Sequence, residues 1–520
     1  MQSFLQRFGA LVLGVLCGWD RLRFRGTKRY LACEKGMMNF LWQQQILLKD
    51  FGDYARQATD QLRAATEQFA QQHGRTVQYL NNSQLRKEDL ARELIRRDGL
   101  QQGLVAIFSA VEPCWSYELH KDRAAKKLVL RGGQRKCLHY YHYYLDPHVG
   151  LYHARLQSWF PFTLHVNLNG REWLARQLDA AGIGYVRREN CFSQVADFAR
   201  AQTLLDEQSR VDWPQLLARL TQHVHPTEAA LFANCPVSYY WSADQTEWAT
   251  DVAFCSAAAL ASWYPSFVRH GLLRLSSADV LRFLGKKISV ATNNTGRFAG
   301  EVLSDLVDRA DGVRVKHRVN GNSVKMYDKQ QTVLRVETTI QENRDFKVYR
   351  TTEKDPEGTP QWQRLRKGVA DLHRRGEISQ AANDRYLSTL ATVAETRPLG
   401  ELAAGVCQAT QWSGRRVRAL NPLSPADSRL LAAVNRGEFV LRGFRNRDVR
   451  ALLYGKTASD TERQRQGAAV TRQLRLLRAH GLIQKIPKTH SYRVSAKGQT
   501  VLTALLTARD ADVNTLVQAA

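Results

Sequence analysis

"NGNSVKMYDKQQTVLRVETTI", residues 320–340, combines a turn signal with runs that alternate between apolar and polar residues. Asn320-Gly321 is a strong signal for a two-residue β-hairpin, which would join a run at 313–319 to a run at 322–329. A polar corner then leads into a third run at 332–340. The stretch therefore predicts a three-stranded antiparallel meander.

Successive side chains of a strand point to opposite faces, so their order assigns each residue of the meander to a face. One face is apolar and is expected to pack on the core: Val313, Val315, Val319, Val324, Met326, Leu334, Val336 and Ile340. The other face is basic and also holds one tyrosine and one glutamate: Arg314, Lys316, Arg318, Ser323, Lys325, Tyr327, Arg335 and Glu337.

The segment "SVKMYDKQQTVLRVETTI" (323–340) resembles the active-site strands of plasmid rolling-circle replication initiators of the Rep_trans type. Those strands carry an aromatic or basic residue, then I-Y-N/D-K, then a W/L-R-V-E strand. The resemblance implies that Tyr327 is a nucleophile that attacks a DNA phosphodiester and forms a covalent phosphotyrosine. It also implies that the phosphate is contacted by Lys325, Lys329 and Arg335.

A divalent cation, Mg²⁺ or Mn²⁺, would polarise the phosphate in such a reaction, and carboxylates are its usual ligands. The resemblance makes Glu337 a metal-binding or structural carboxylate. Asp20 and Glu112 each end an apolar run that is typical of a strand, and they are the further metal candidates. These two acids could also serve a two-metal transposase or nuclease that uses no tyrosine. Four other acids are unranked candidates: Glu118, Asp146, Asp251 and Asp328.

The same basic face has a second interpretation, in which no chemistry occurs. Tyr327 and Glu337 would then be cross-strand neighbours of lysine and arginine on a salt-bridged surface that only binds nucleic acid. In either interpretation, four cations of the meander are predicted to contact nucleic acid: Arg314, Lys316, Arg318 and Lys329.

The net charge of the chain favours a partner rich in phosphate. Lys and Arg number 75 against 49 Asp and Glu, which gives a formal net charge of +26. Each neutralised phosphate releases counterions, so nucleic acid is the leading partner class, with DNA favoured and RNA possible. A membrane partner is not expected, because the sequence has no long basic amphipathic surface helix, and the apolar run at 10–17 is too short to span a bilayer.

The eight cysteines are scattered, with no Cys-x-x-Cys and no Cys/His cluster at the sequence spacing of a zinc motif. This pattern fits a reduced compartment, and we expect a cytoplasmic protein. Gly-rich phosphate loops of the Walker or dinucleotide type are absent from the sequence, so an ATPase or a dehydrogenase is not supported.

The chain, at 520 residues, is too long for one core. We expect a multidomain α/β (α+β) protein with mixed and antiparallel sheets. The expected regions are an N-terminal α/β region (1–125), a β-rich α+β region (126–350) that holds the meander (313–340), a helical connector (351–423) and a C-terminal domain (424–520).

The C-terminal region at 424–520 resembles a winged-helix DNA-binding domain. Its pattern is a short helix, an arginine-rich helix, a basic hairpin and a final helix, with the junction "LRxLRAHGLI" between the arginine-rich helix and the hairpin. The resemblance implies that Arg472 and Arg475 face the major groove and that Lys488 contacts phosphates beside it. Winged helices also serve as protein-docking modules, which is the alternative.

The run "KCLHYYHYYLD" at 136–146 alternates aromatic residues on both faces of a predicted strand. Aromatic side chains in a basic setting can stack on unpaired bases, although aromatic strands are also common in cores. Both interpretations remain open at this point.

Taken together, these patterns predict a nucleic-acid-binding protein of a mobile element, with a role like that of a replication initiator. It would nick and join DNA through Tyr327 with a divalent metal. The alternatives are a transposase or nuclease with a two-metal carboxylate site, and a DNA- or RNA-binding regulator without catalysis.

Overall fold

The chain has the predicted multidomain α/β class, with one large sheet, several small sheets and helices around them. The computed structural model describes residues 1–80, 86–275, 277–285, 302–308, 312–351, 357–394, 399–436, 439, 443–455, 459–487 and 489–511.

The helices of the described residues are, in chain order, α1 (Gln2–Phe8), α2 (Glu34–Gln43), α3 (Phe51–Gln72), α4 (Lys87–Asp98), α5 (Gly170–Ala180), α6 (Phe198–Asp206), α7 (Trp213–Thr221), α8 (Glu228–Leu231), α9 (Ala257–Ala261), α10 (Tyr264–Leu273), α11 (Ser277–Phe283), α12 (Leu372–Leu390), α13 (Leu399–Cys407), α14 (Pro425–Val434), α15 (Asn446–Tyr454), α16 (Asp460–Ala479) and α17 (Ala496–Asp510).

The strands of the same residues are β1 (Val12–Thr27), β2 (Val77–Tyr79), β3 (Gly103–Asp122), β4 (Lys127–Asp146), β5 (Gly150–Gln157), β6 (Leu164–Asn169), β7 (Tyr185–Arg188), β8 (Cys191–Val195), β9 (Tyr240–Phe254), β10 (Val302–Val307), β11 (Arg314–Val319), β12 (Asn322–Lys329), β13 (Val333–Ile340), β14 (Lys347–Arg350), β15 (Gln361–Arg364), β16 (Thr410–Trp412), β17 (Arg415–Val417), β18 (Phe444–Arg445), β19 (Ile483–Lys485) and β20 (Ser491–Val494).

Eleven strands form the large sheet, in the order β10-β11-β12-β13-β9-β1-β6-β5-β4-β3-β2. All neighbouring pairs are antiparallel except β2 with β3. Strands from the regions expected at 1–125 and 126–350 therefore belong to one sheet. The smaller sheets pair β7 with β8, β14 with β15 and β16 with β17, and β20 lies between β18 and β19.

The predicted meander is present as β11, β12 and β13, and its apolar face is buried as expected. Asn320 adopts a positive φ of 53° at the turn between β11 and β12, a conformation that asparagine tolerates well. Met326 and Val336 are opposed across β12 and β13 and are fully buried. They pack against Tyr386 and Leu387 of α12, and Phe4 and Phe8 of α1 belong to the same core.

Helices α5 and α6 cover part of the opposite face of the sheet, where Leu16 of β1 packs on Leu178 and Leu205. The start of α5 approaches β1 very closely. A Cβ atom on Gly170 would lie 2.2 Å from the carbonyl oxygen of Trp19, so only glycine fits there. This contact holds α5 beside the part of β1 that carries Asp20.

The C-terminal region has its own hydrophobic core, built from residues between Leu402 and Leu505. Its order is helix α14, strand β18, helices α15 and α16, strands β19 and β20, and helix α17. Asn446, the first residue of α15, donates a hydrogen bond from its side-chain amide to the Gly467 carbonyl and so links α15 to α16. The backbone N–H at the cap is bound by Asp448.

The aromatic run lies in β4 and is part of the core. Tyr140, Tyr141, His142 and Tyr143 are all buried, so they do not form a surface on which bases could stack. Within the described ranges, no helix combines the length and the apolar character that are needed to cross a membrane.

Candidate functional site

Four adjacent strands at the middle of the large sheet, β12, β13, β9 and β1, supply the candidate site. Lys325 lies opposite Glu337 and Tyr327 lies opposite Arg335 in the β12–β13 pair. Arg335 in turn lies opposite Asp251 of β9. Directly opposed residues share a face, so the strand register brings these five side chains to the same side of the sheet.

A β-bulge in β1 adds Asp20 to this face. Trp19 and Arg21 pair with consecutive residues of β9, which leaves Asp20 as the extra residue between them. Such an extra residue interrupts the alternation of faces and redirects its side chain. One carboxylate oxygen from each of Asp20, Glu247 and Glu337 lies within 4.8 Å of the other two. We refer to these three residues as the carboxylate cluster.

The carboxylate cluster has the donor set that a hard divalent cation requires. Magnesium and manganese prefer oxygen ligands, and they are commonly held by a small number of carboxylates. Asp20 and Glu337 are each 1% exposed and Glu247 is 9% exposed. Three acids this close together in a buried place repel one another unless positive charge lies between them. The residues present therefore fit one Mg²⁺ or Mn²⁺ ion.

Tyr327 is joined to the cluster by a short hydrogen bond. Its hydroxyl donates to Glu337 Oε2 at 2.6 Å, and its side chain is only partly buried. Burial and the charge of Glu337 raise the pKa of Tyr327 well above its ordinary value, while Arg335 acts in the opposite direction. The phenol is therefore protonated at neutral pH, and the Glu337 carboxylate is the acceptor of its hydrogen bond.

Lys325 supplies positive charge to two members of the cluster. Its Nζ lies 2.6 Å from Glu337 Oε1 and 3.5 Å from Glu247 Oε1. Burial by itself would raise the pKa of Glu337, but Lys325 and Arg335 lower it to about 2. Glu247 behaves differently, because burial and the nearby Glu337 raise its pKa. Lys325 is thus mainly the counterion of Glu337, which it contacts more closely than Glu247.

Arg335 is fully buried and holds the acids in place. It donates to both oxygens of Asp251, at 2.5 and 2.8 Å, and to the Asn190 carbonyl at 2.6 Å. Asn190 then donates from its side-chain amide to both oxygens of Asp20, at 2.7 and 2.8 Å. The implied phosphate contact of Arg335 is not available to a side chain enclosed in this way. Arg335 is a positioning residue for Asp20.

Lys329 and Arg171 belong to the same buried network. Lys329 is 6% exposed, and its Nζ lies 3.1 Å from Asn190 Oδ1. Arg171 comes from α5, and its Nη2 lies 3.0 Å from Asp251 Oδ2. Both side chains are therefore enclosed in the buried network and do not project into solvent.

Strand β11, next to the edge strand β10, carries further cations of this face. Lys316 lies opposite Lys325 and is partly exposed. Arg314 and Arg318 flank Asp305 of β10, at 3.4 and 3.8 Å. Positive charge thus extends from Lys325 toward the edge of the sheet.

Glu112 is not part of the carboxylate cluster. It lies on β3, four strands from β1, and the usual strand spacing gives a separation on the order of 19 Å along the sheet. Its carboxylate is bound by Tyr141 at 2.5 Å, Arg155 at 3.1 Å and Lys87 at 3.4 Å. The predicted grouping of Asp20 with Glu112 in one metal site is therefore wrong.

The predicted nucleic-acid contacts of the C-terminal region lie on α16. Arg472 and Arg475 are exposed, while Val470, Leu474 and Leu477 of the same helix are buried. Lys488 lies outside the described residues.

Glu247 was not among the metal-binding candidates predicted from the sequence, and Asp251 was one of the unranked candidates. Both lie on β9 four residues apart, in "DQTEWATDVAF", so alternation puts them on one face. That spacing was an available signal. Asn190, in the turn between β7 and β8, carried no comparable signal, because its role depends on contacts with distant strands.

Comparison with known proteins gave no relative of this chain. No protein-family model matches it, and neither a curated protein nor a solved structure matches it.

Proposed function

We propose that this protein nicks and rejoins DNA through Tyr327, with Mg²⁺ or Mn²⁺ held by Asp20, Glu247 and Glu337. The observation that carries the proposal is the position of the Tyr327 hydroxyl, 2.6 Å from a carboxylate that lies beside Lys325 and two more acids. A nucleophile, a proton acceptor and a set of metal ligands thus lie within one small region of the sheet.

The chemistry follows from the hydrogen bond. Glu337 accepts the phenol proton while the Tyr327 oxygen attacks phosphorus, so one O–P bond forms and one P–O ester bond of the DNA backbone breaks. Glu337 passes this proton to the departing sugar oxygen, and the phosphotyrosine keeps the bond available for rejoining by the reverse steps. A divalent cation, when bound, polarises the phosphate and stabilises the charge that develops on it.

The basic residues around the site suit contact with the phosphates of a DNA substrate. Lys316 is partly exposed beside Lys325, which suits contact with the phosphates that flank the reacting one. The formal net charge of +26 supports a polyanionic partner. These charges would position the DNA strand, while the buried Arg335 network keeps Asp20 in place.

The C-terminal region would bind double-stranded DNA as a winged helix. The order of its helices and strands supports this assignment, as does the exposure of Arg472 and Arg475 on α16. Such a module would bring the nicking site to its target, as in a replication initiator of a mobile element.

Two other functions have support from particular observations. The carboxylate cluster by itself suits a nuclease or transposase in which metal-activated water replaces the tyrosine. The ion pair of Lys325 with Glu337 suits a protein that only binds nucleic acid, because the acids already have a counterion.

The deciding experiment is a denaturing gel of labelled single-stranded and supercoiled DNA after incubation with the protein and Mg²⁺ or Mn²⁺. We expect a covalent adduct with the wild type, none with Tyr327→Phe, and a strong reduction with Glu247→Gln. Cleavage by Tyr327→Phe at the wild-type rate would support the nuclease instead. Binding without cleavage or adduct in every sample would support the regulator.

A further inference from the structure

Cys114 and Cys137 meet at the middle of the long β3–β4 hairpin, away from the carboxylate cluster. Their sulfur atoms are 3.1 Å apart. The strand register pairs Cys137 with Glu112 and Cys114 with Arg135, so the two cysteines are diagonal neighbours on one face of the sheet. No local sequence motif indicates this pair, because 22 residues separate the cysteines along the chain.

His139 lies beside this pair in the form that binds metals. It is 2% exposed, and its Nδ1 lies 3.1 Å from the Cys137 carbonyl oxygen. A hydrogen bond from Nδ1 to a backbone carbonyl leaves the lone pair on Nε2, which is the usual arrangement of a metal-ligating histidine.

One ligand atom from each of Cys114, Cys137 and His139 lies within 4.8 Å of the other two. Two thiolates and an imidazole form a donor set that zinc prefers over magnesium or calcium. We propose that these three residues bind one Zn²⁺ ion, with a fourth position open to water. This site is independent of the proposed nicking function.

A zinc site suits the geometry better than a disulfide bond. Cys114 and Cys137 are free thiols, and their 3.1 Å sulfur–sulfur separation is well beyond the disulfide bond length of about 2.05 Å. Tetrahedral zinc with bonds of about 2.3 Å keeps its two sulfur ligands about 3.8 Å apart. Zinc binding therefore requires the two sulfur atoms to move apart from 3.1 Å to about that value.

Zinc at this place would join two strands that are 20 residues long each. The ion would fix their register midway, so that the outer half of the hairpin, 115–136, moves as one piece with the sheet. The role we assign to the metal is therefore structural.

The test uses the full-length protein, purified with a reductant that does not bind metals, then incubated with Zn²⁺ and desalted. We expect one sulfur-bound zinc per chain by elemental analysis, and with Co²⁺ in its place we expect thiolate-to-metal charge-transfer absorption. Cys137→Ser and His139→Gln should each weaken Zn²⁺ binding by about tenfold or more. The control variant Cys407→Ser changes an exposed cysteine elsewhere and should leave Zn²⁺ binding unchanged.

Two results would overturn the proposal. The first is a reduced wild-type protein that retains no zinc and gives no charge-transfer band with Co²⁺. The second is a Cys137→Ser variant that binds zinc and cobalt as the wild type does, since the metal would then lie elsewhere. Cys137 is partly exposed and serine is close to it in size, so this variant is expected to fold.

Discussion

The hydroxyl of Tyr327 donates a 2.6 Å hydrogen bond to Glu337 across the β12–β13 pair. The two residues are diagonal neighbours, so the contact depends on the register of these strands and on no flexible loop. The sheet itself therefore holds the phenol and the carboxylate together.

Lys325 would compete with a metal ion proposed to bind the carboxylate cluster, and this competition can be measured. In Lys325→Met the charges of Glu337 and Glu247 lose their counterion, which should lower the free energy of unfolding by about 2–4 kcal/mol without metal. Bound metal replaces that charge, and at 100 times its Kd it adds about 2.7 kcal/mol. We expect Mn²⁺ to raise the melting temperature of this variant more than that of the wild type.

The matched control is Lys316→Met, which removes the lysine directly opposite Lys325. Lys316 forms no ion pair within the described part of the chain, so its loss should alter neither stability nor the response to Mn²⁺ by much. Equal responses of the two variants to Mn²⁺ would contradict a metal site at the cluster.

Arg335 should be essential for stability. Arg335→Ala leaves Asp251 and Asp20 buried without their main positive partner, and breaking a buried pair in this way costs about 3–5 kcal/mol. Urea unfolding measures the loss. Arg344→Ala, at a side chain that is 81% exposed, should change the value by no more than about 0.5 kcal/mol. A loss under about 1 kcal/mol at Arg335 would show that the network contributes little.

Asp328 should make stability depend on pH. Burial raises its pKa to about 6, against the opposing effect of a backbone hydrogen bond from Gln331. The folded protein thus binds this proton more tightly than the unfolded chain, in which the pKa is about 3.9. Stability from this group is present below about pH 4 and is lost as the pH rises through 6.

Asp328→Asn removes this dependence, because an amide does not titrate. We expect the variant to be about 2 kcal/mol more stable than the wild type at pH 8, with the difference shrinking toward pH 4. Asp60→Asn, on the exposed side of α3, is the control. A difference that stays constant from pH 4 to pH 8 would mean that Asp328 has an ordinary pKa.

Arg472 and Arg475 should contribute to binding through phosphate or base contacts. If each neutralises one phosphate, the double alanine variant should reduce the slope of log K against log salt by about 1.8. Fluorescence anisotropy with duplex DNA at several salt concentrations gives this slope. Arg429→Ala changes an exposed arginine on α14 and should leave the slope unchanged. An unchanged slope in the double variant would exclude α16 as the contact.

The meander could be predicted because its signals are local. Asn320-Gly321 defines the turn, and a period of two assigns Met326 and Val336 to the buried face. The α/β class follows from the same kind of evidence. Both the meander and the class depend on residues that are close together in the sequence, so a single sequence contains the information needed to predict them.

The carboxylate cluster could not be predicted in full, because it depends on a bulge and on distant pairing. Strict alternation puts Asp20 and Arg21 on opposite faces, and only the extra residue in β1 changes this. The place of β9 between β13 and β1 decides that Glu247 is a neighbour and Glu112 is not. The burial of Arg335 depends on its cover by Asn190, which no strand pattern reveals.

The order of the site along the chain governs when it can exist during protein synthesis. Asp20 is made first and Glu247 much later, while Tyr327 and Glu337 follow on β12 and β13. A nascent chain that stops before β12 has two of the three acids and lacks the tyrosine. A product that ends before β12 therefore lacks the Tyr327–Glu337 pair on which the proposed nicking depends.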